Sequence, residues 1–472
     1  MNQPHLNNDT ARCCSEFNAF SRRELLSSAA SKPLHRIQIP SELVDDGAER
    51  FFERGITRRQ MLRRTGGLML GMAVASQLTP LRLLENAAAA NDPNAPILVT
   101  IYLGGGNDGI NTLVPTSGAE RTTYEALRTR IGVNATKLLP LPNRPDLGWH
   151  PSATGFKKLY DAGKMTVLPG TDYPNPSLSH FESEHNWRTG TLDPHGTYGW
   201  LGRYLDRVGT GNPLEGIAVQ WGGDGALNGK RAMTSTVHDI SDYAFEAPGV
   251  WNTARMMGYW SQLGDSRGKS SAYLRSMAVK QATFQTYTQL KPLAAQDTST
   301  LPAPPVAYPA DYELGQELRT LGRLLSAGLG TRVATLTDSQ GYDTHDQQEA
   351  TQSVNLANLS EALWAWQADL AARGLEDRVV TVVWSEFGRR AEDNEGHGTD
   401  HGTGGLLMVI GKHATGGVQT SGWELGSLDD DGNVPVQNDF RDVYAGLLEG
   451  HLKMDAASVL PGYQGTPKQL VA

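Results

Sequence analysis

The sequence predicts an α/β domain with a mostly parallel central sheet flanked by helices, and three observations carry that reading. Short runs rich in β-branched and aliphatic residues, Ile97–Leu103, Arg332–Thr337, Val379–Trp384 and Leu406–Ile410, each end at a glycine or polar residue. Strands buried on both faces of a parallel sheet read this way. Segments of helical periodicity alternate with them, as crossovers between parallel strands require. Finally, Asp, Glu and His stand just past several strand ends, where open α/β sheets place their ligands.

The chain has 472 residues, compatible with a leader and one large α/β domain over 91–472. Residues 1–90 hold 12 Lys and Arg against 9 Asp and Glu, a net +3, which leaves −12 of the total −9 for the rest. Such an acidic body is poorly suited to bind nucleic acid and points to small molecules or polymers as partners. Thr57-Arg58-Arg59-Gln60-Met61-Leu62 resembles a twin-arginine export signal, followed by the uncharged stretch Thr65–Leu81 and small residues at Ala87–Ala90 that suit cleavage before Asn91. The stretch is too short for a stable membrane span. The expectation is export to the periplasm or medium with the twin-arginine translocase as a partner. Cys13 and Cys14, the only cysteines, precede the cleavage site, so the body has no thiolate ligand or cysteine nucleophile.

In chain order, Ile97–Leu103 is the first strand and Gly104–Gly109 follows it. That segment is formally the dinucleotide pattern G-x-G-x-x-G, but Asp108 would oppose a pyrophosphate; an acidic residue held by glycines suits a divalent cation better, and a tight turn with an incidental Asp is the plainer alternative. Ser152–Ala162 reads as a helix, Met165–Leu168 as a strand, and Ser179 as the start of a helix beginning at His180. Ser179 is either a simple N-cap or a hydroxyl placed to act as a nucleophile in the helix dipole. Gly199–Val208 is helical and Gly216–Gln220 a candidate strand; Trp221–Ala310 reads as a helical insertion, with a long helix around Ser271–Gln289 and a Pro-rich stretch, Pro292–Pro309. The helix Tyr312–Leu329 leads to Arg332–Thr337. The helix Val354–Arg373, with Leu356, Leu359, Leu363, Trp366 and Leu370 on one stripe, returns the chain to Val379, and Asp439–Leu452 closes it as an amphipathic helix.

Three strand ends therefore carry hard ligands: Asp108, then Asp343 with His345, then Glu386 with Asp400 and His401. Mixed carboxylate and imidazole donors suit zinc, manganese or iron, and carboxylates alone suit magnesium or calcium. A solvated, acidic, glycine-rich loop is the alternative for the segment between Trp384 and Leu406.

YLGGGNDGINTLVP, HPSATGFKKLY, PSLSHFESEHNWRTG, GYDTHDQQ, SEFGR and GTDHG, spread over Tyr102–Gly402, carry a resemblance to a family of twin-arginine-exported bacterial proteins, domain-of-unknown-function family 1501. That family is placed in the alkaline phosphatase-like superfamily and is often labelled sulfatase-like. The resemblance implies an alkaline phosphatase-like fold, one or two divalent ions (zinc, manganese or magnesium), and Ser179 as nucleophile. It further implies Asp108 as the first-strand ligand, Asp343 and His345 as a pair at one metal, Ser385-Glu386-Phe387-Gly388 in place of a Ser-Asp-His-Gly strand end, and His401 as the last His. Phe387 stands where the superfamily has a metal-binding His, which implies a second site that is weak, rebuilt from Asp400 or Gln348, or absent. Ser179 lacks the Cys-x-Pro-x-Arg context of sulfatases that make formylglycine.

The leading expectation is an exported metal-dependent hydrolase of phosphate or related esters, with Ser179 attacking, Asp108, Asp343, His345, Glu386, Asp400 and His401 available to the metal, and Arg389 steadying the anion. The competing expectation is a non-catalytic binding protein with a degenerate metal site on the same fold. A nicotinamide-dependent oxidoreductase rests on Gly104–Gly109 alone.

Overall fold

The structure is a computed structural model that describes residues 94–243 and 271–472. The leader and residues 244–270 of the expected insertion lie outside the described residues. Among the described residues, nine strands form the central sheet. They are β1 (Ile97–Leu103), β5 (Met165–Asp172), β6 (Gly216–Ala218), β7 (Ser235–Thr236), β8 (Val333–Asp338), β9 (Val379–Trp384), β12 (Gly405–Ile410), β13 (Gly417–Val418) and β14 (Asn438–Asp439). Their order is β13-β5-β12-β9-β1-β8-β6-β7, with β14 also paired to β5.

β1 lies at the centre between β8 and β9, parallel to both. All seven of its residues are buried, and their alternation supplies two cores. Ile97, Val99, Ile101 and Leu103 face the layer of helices Thr154–Asp161, Glu313–Ser326 and Gln348–Ala372; Leu98 and Tyr102 face His180–Thr189, Trp200–Val208 and Phe440–Gly450. The result is a sheet covered on both faces, the arrangement that continuous apolar strands require.

One expected strand differs in direction. Leu406–Ile410, read as parallel, falls in β12, which is antiparallel to β9 and to β5. The cause is the connection: between Trp384 and Gly405 the chain forms no helix, only the short strands β10 (Gly388–Arg389) and β11 (His401–Gly402), paired antiparallel. Without a crossover the chain turns back directly beside β9.

Between Leu113 and Trp149, where the sequence suggests no element, a helix spans Gly118–Leu127 and a small antiparallel sheet pairs β2 (Leu113–Pro115) and β3 (Leu139–Leu141) with β4 (Arg144–Trp149). In the expected insertion, β7 extends the central sheet beside β6, and the helix Ser271–Ala294 is tied to it by a 2.8 Å hydrogen bond between Ser235 and Thr286 hydroxyls. Among the described residues no helix is long and apolar enough to cross a membrane.

The helices Thr154–Asp161 and Gln348–Ala372 touch at Gly155, where an added Cβ would overlap the Ser360 backbone carbonyl. Gly155→Ala is expected to lower unfolding free energy by about 1–3 kcal/mol, the usual cost of overpacking, as read by urea denaturation.

Candidate metal centre

The carboxyl ends of β1, β5, β8 and β9 lie along one edge, and the antiparallel β12 begins at that same edge. The turn after β8 is anchored by Tyr342 N donating to Gly104 O at 3.0 Å, and it delivers Asp343 and His345. The helix after β5 opens with His180, which is fully buried. The β10–β11 pair sets Arg389 opposite His401. Four side chains from three chain segments thus meet: His180, Asp343, His345 and His401.

Their geometry is tight. Asp343 Oδ1 lies 3.0 Å from His345 Nε2 and 3.1 Å from His401 Nε2. The two Nε2 atoms are 3.0 Å apart. His180 Nε2 lies 3.6 Å from Asp343 Oδ2, which is buried and accepts no hydrogen bond. Phe387, also buried, lays its ring against His180 and His401 with centroids at 4.9 and 4.5 Å and walls one side.

Each imidazole is held from behind. His180 Nδ1 meets Glu386 Oε1 at 2.7 Å, His345 Nδ1 meets Asp400 Oδ1 at 3.2 Å, and His401 Nδ1 meets the Leu178 carbonyl at 2.8 Å. A carbonyl and ionised carboxylates only accept, so all three Nδ1 atoms carry hydrogen. Both carboxylates are ionised at neutral pH. Burial pushes the Glu386 carboxyl up, but His180 and the Gly105 N–H outweigh it and leave it below its ordinary value. Asp400 is pulled down to about 2, first by its hydrogen bond with His345.

With Nδ1 so engaged, each ring has Nε2 as its remaining donor atom; those of His345 and His401 lie against each other and against Asp343 Oδ1, and that of His180 is 3.6 Å from Asp343 Oδ2. A proton or a metal ion shared among these atoms satisfies them. Burial opposes ionisation of Asp343, yet His180, His345, His401 and the Arg389 charge hold its carboxyl far below the carboxylate range. The donor set fits a metal. Tetrahedral zinc with bonds of about 2.0–2.1 Å separates its donors by roughly 3.3 Å, near the 3.0–3.1 Å found here. An acceptor behind each ligating imidazole is the usual outer shell of such sites.

Three of the residues expected from the sequence, Asp343, His345 and His401, are brought together. The others are placed elsewhere. Asp108, expected as the first-strand ligand, is buried in an ion pair with Arg128, accepts from Gln348 Nε2 at 2.5 Å and from the N–H groups of Ile110 and Asn111, and has no oxygen left for the cluster. Glu386, expected as a ligand, stands behind His180 and accepts from Gly105 N at 2.9 Å and Gly106 N at 3.0 Å. These bonds take two of the glycine N–H groups that a dinucleotide would need. Asp400 likewise orients His345. Arg389, expected to steady a substrate anion, is fully buried and donates to the carbonyls of Gly105, Gly106, Tyr342 and Thr399 and to Asp343 Oδ1 at 2.7 Å. Its guanidinium is a strut. Gln348 bonds Asp108 and lies outside the cluster.

Ser179 occupies the N-cap position beside His180, partly buried, and its hydroxyl does not cap the helix. His180 is not among the residues expected from the sequence, which reads it only as the first residue of a helix, although the resembling segment PSLSHFESEHNWRTG contains it.

Two substitutions separate ion-pair partner from orienter. Asp108→Asn leaves Arg128 buried and unpaired, and should cost about 3–5 kcal/mol of stability while zinc affinity stays within a few-fold. Glu386→Gln should weaken zinc affinity roughly 10- to 100-fold, measured by competition with a chelator.

No curated protein matches the sequence. Among solved structures the chain is similar to the PsFucS1 sulfatase from Pseudoalteromonas sp., at 12% identity and TM-score 0.30, over 79% of this chain and 72% of that one. It is also similar to Ps i-CgsB in complex with k-i-k-neocarrahexaose, at 11% identity and TM-score 0.32, over 79% and 75%. A third is the lipoteichoic acid synthase LtaP from Listeria monocytogenes, at 10% identity and TM-score 0.28, over 73% of each chain. Nothing about the site rests on these likenesses. The sequence match is of another order: the profile described as "Protein of unknown function (DUF1501)" covers residues 159–472, which include His180, Asp343, His345 and His401 but not β1, and the chain belongs to that family.

Proposed function

We propose that this chain is an exported, metal-dependent hydrolase of phosphate or related sulfate or phosphonate esters, small or polymeric, with Ser179 as nucleophile. The observation that carries the reading is the convergence of His180, Asp343 and His401, whose donor atoms lie within 4.8 Å of one another, with His345 Nε2 3.0 Å from both Asp343 Oδ1 and His401 Nε2 and each imidazole backed by an acceptor, at the ligand-binding edge of the sheet. His180, Asp343 and His401 would hold the ion, with His345 beside them. When bound it supplies a Lewis acid that polarises the ester and favours ionisation of a nearby hydroxyl. Ser179 directly precedes His180, and the Leu178 carbonyl is fixed by His401, so the backbone that carries the hydroxyl is anchored to the ligand set. In the proposed step the Ser179 oxygen bonds to phosphorus or sulfur as the alcohol leaves, and water then frees the serine. Arg389 takes no part in holding the substrate. Arg390, on the same hairpin, is the alternative cation: its charge acts on Asp400, and its Nε has no hydrogen-bond partner.

Ser179→Ala should keep the ion and lose roughly a thousandfold or more in ester turnover, whereas His401→Ala should lose both. Metal content by mass spectrometry, read beside an ester panel, separates these results. Full turnover by Ser179→Ala with its ion retained would remove the serine and leave metal-assisted attack by water.

Phe387 favours a second reading, a binding protein that retains one ion without turnover, because an apolar ring packs on two of the ligands where another ligand would extend the site. Saturable ion binding with no hydrolysis of any ester would support it. Export rests on Arg58-Arg59, the uncharged stretch Thr65–Leu81 and the small residues Ala87–Ala90. Changing both arginines to lysine should leave uncleaved protein in the cytoplasm, as seen by cell fractionation.

A further inference from the structure

A second group of metal-type donors lies toward the far edge of the sheet, past the ends of β6, β7 and β8. His238 follows β7, and Glu313 and Glu317 sit one turn apart on the helix Glu313–Ser326 that covers β8. One donor atom from each of these residues lies within 4.8 Å of the others, and His238 Nε2 is 3.6 Å from Glu313 Oε1.

Two further observations point to a ligand. Glu317 is only 4% exposed, and its Oε2 is buried with no hydrogen-bond partner. A buried carboxylate normally pairs or binds a metal, because an uncompensated charge in a low-dielectric interior is costly. Burial first, then the negative charges of Glu313 and Asp338, push its carboxyl up to about 8. Asp338 is itself buried and already engaged by the hydroxyls of Tyr312 and Tyr342, both at 2.6 Å. The second observation is Trp221. It is 72% exposed, yet its ring stacks on His238 with centroids 3.7 Å apart and an interplanar angle of 25°. The stack fixes the plane of the imidazole beside the two carboxylates and covers one face of it.

We propose that His238, Glu313 and Glu317 form a second site for a divalent transition-metal ion of the zinc class. One imidazole and two carboxylates are donors suited to such an ion, with water completing its shell. Glu317 is the fixed, buried ligand, and His238 and Glu313, which are partly exposed, close onto the ion from the solvent side. Bound there, the ion neutralises the Glu313–Glu317 pair and ties the helix Glu313–Ser326 to the edge strand β7. The site shares no residue with the first centre.

The test uses the full chain in a His401→Ala background, so that the first centre does not contribute. Zinc per chain is counted by mass spectrometry after gel filtration, and nickel is titrated while tryptophan fluorescence is followed. The expected result is one saturable ion per chain and quenching that Trp221→Phe abolishes without removing the ion. Adding His238→Ala should eliminate binding, and adding the near-isosteric Glu317→Gln should weaken it at least tenfold with the circular dichroism spectrum unchanged. Absence of saturable binding in the His401→Ala protein overturns the proposal, and so does an affinity that neither His238→Ala nor Glu317→Gln alters.

Discussion

The buried carboxylate of Glu386 is the constraint on which the edge of the sheet depends. It stands just past β9, fully removed from solvent, and accepts from the backbone of Gly105 and Gly106 past β1, from its own neighbour Ser385, and from His180 of the helix that follows β5. A charge in that position is tolerable only because so many donors meet it. Gly105 and Gly106 are required for the same reason: both have positive φ, and side chains there would strike the Asp343 backbone and the Phe387 ring. One carboxylate thereby closes a tight turn, joins two strand ends and sets the orientation of an imidazole.

Arg389 performs the complementary task. Its guanidinium gathers carbonyls from the turns after β1 and β8 and from the segment before β11, and also reaches Asp343. The planar fork of an arginine can satisfy several carbonyls at once, which a lysine could not do. The residues around the candidate ligands are therefore as specified as the ligands. Acceptors fix three imidazoles in one tautomer, a cation holds the carboxylate, and the lone pairs so aligned face inward.

Much of this was legible in the residues. Strands buried on both faces announce themselves by composition, and β1 and β9 have the bounds that their apolar runs suggest. Asp343, His345 and His401 were legible as candidate ligands because they follow strand ends, where open α/β sheets place their ligands. Asp108, Glu386 and Arg389 have the same chemistry and similar positions, yet they serve as an ion-pair partner, an orienter and a strut. The difference is which neighbours they meet: Arg128 comes from the end of a helix 20 residues away from Asp108, and His180 from 206 residues away from Glu386. His180 was hidden for the opposite reason, since a histidine opening a helix has an adequate local explanation.

The sequence by itself determined that this is an α/β chain with helices on both faces of its sheet, that hard donors gather where its strands end, and that no thiol after Cys14 can join them. These follow from composition and periodicity, which are local. The tertiary structure decided the direction of β12, because that depends on whether the connection forms a crossover helix. It also decided which donors converge and which stand behind them, because a carboxylate is a ligand or a support according to the charge that folding brings within 3 Å or so of it.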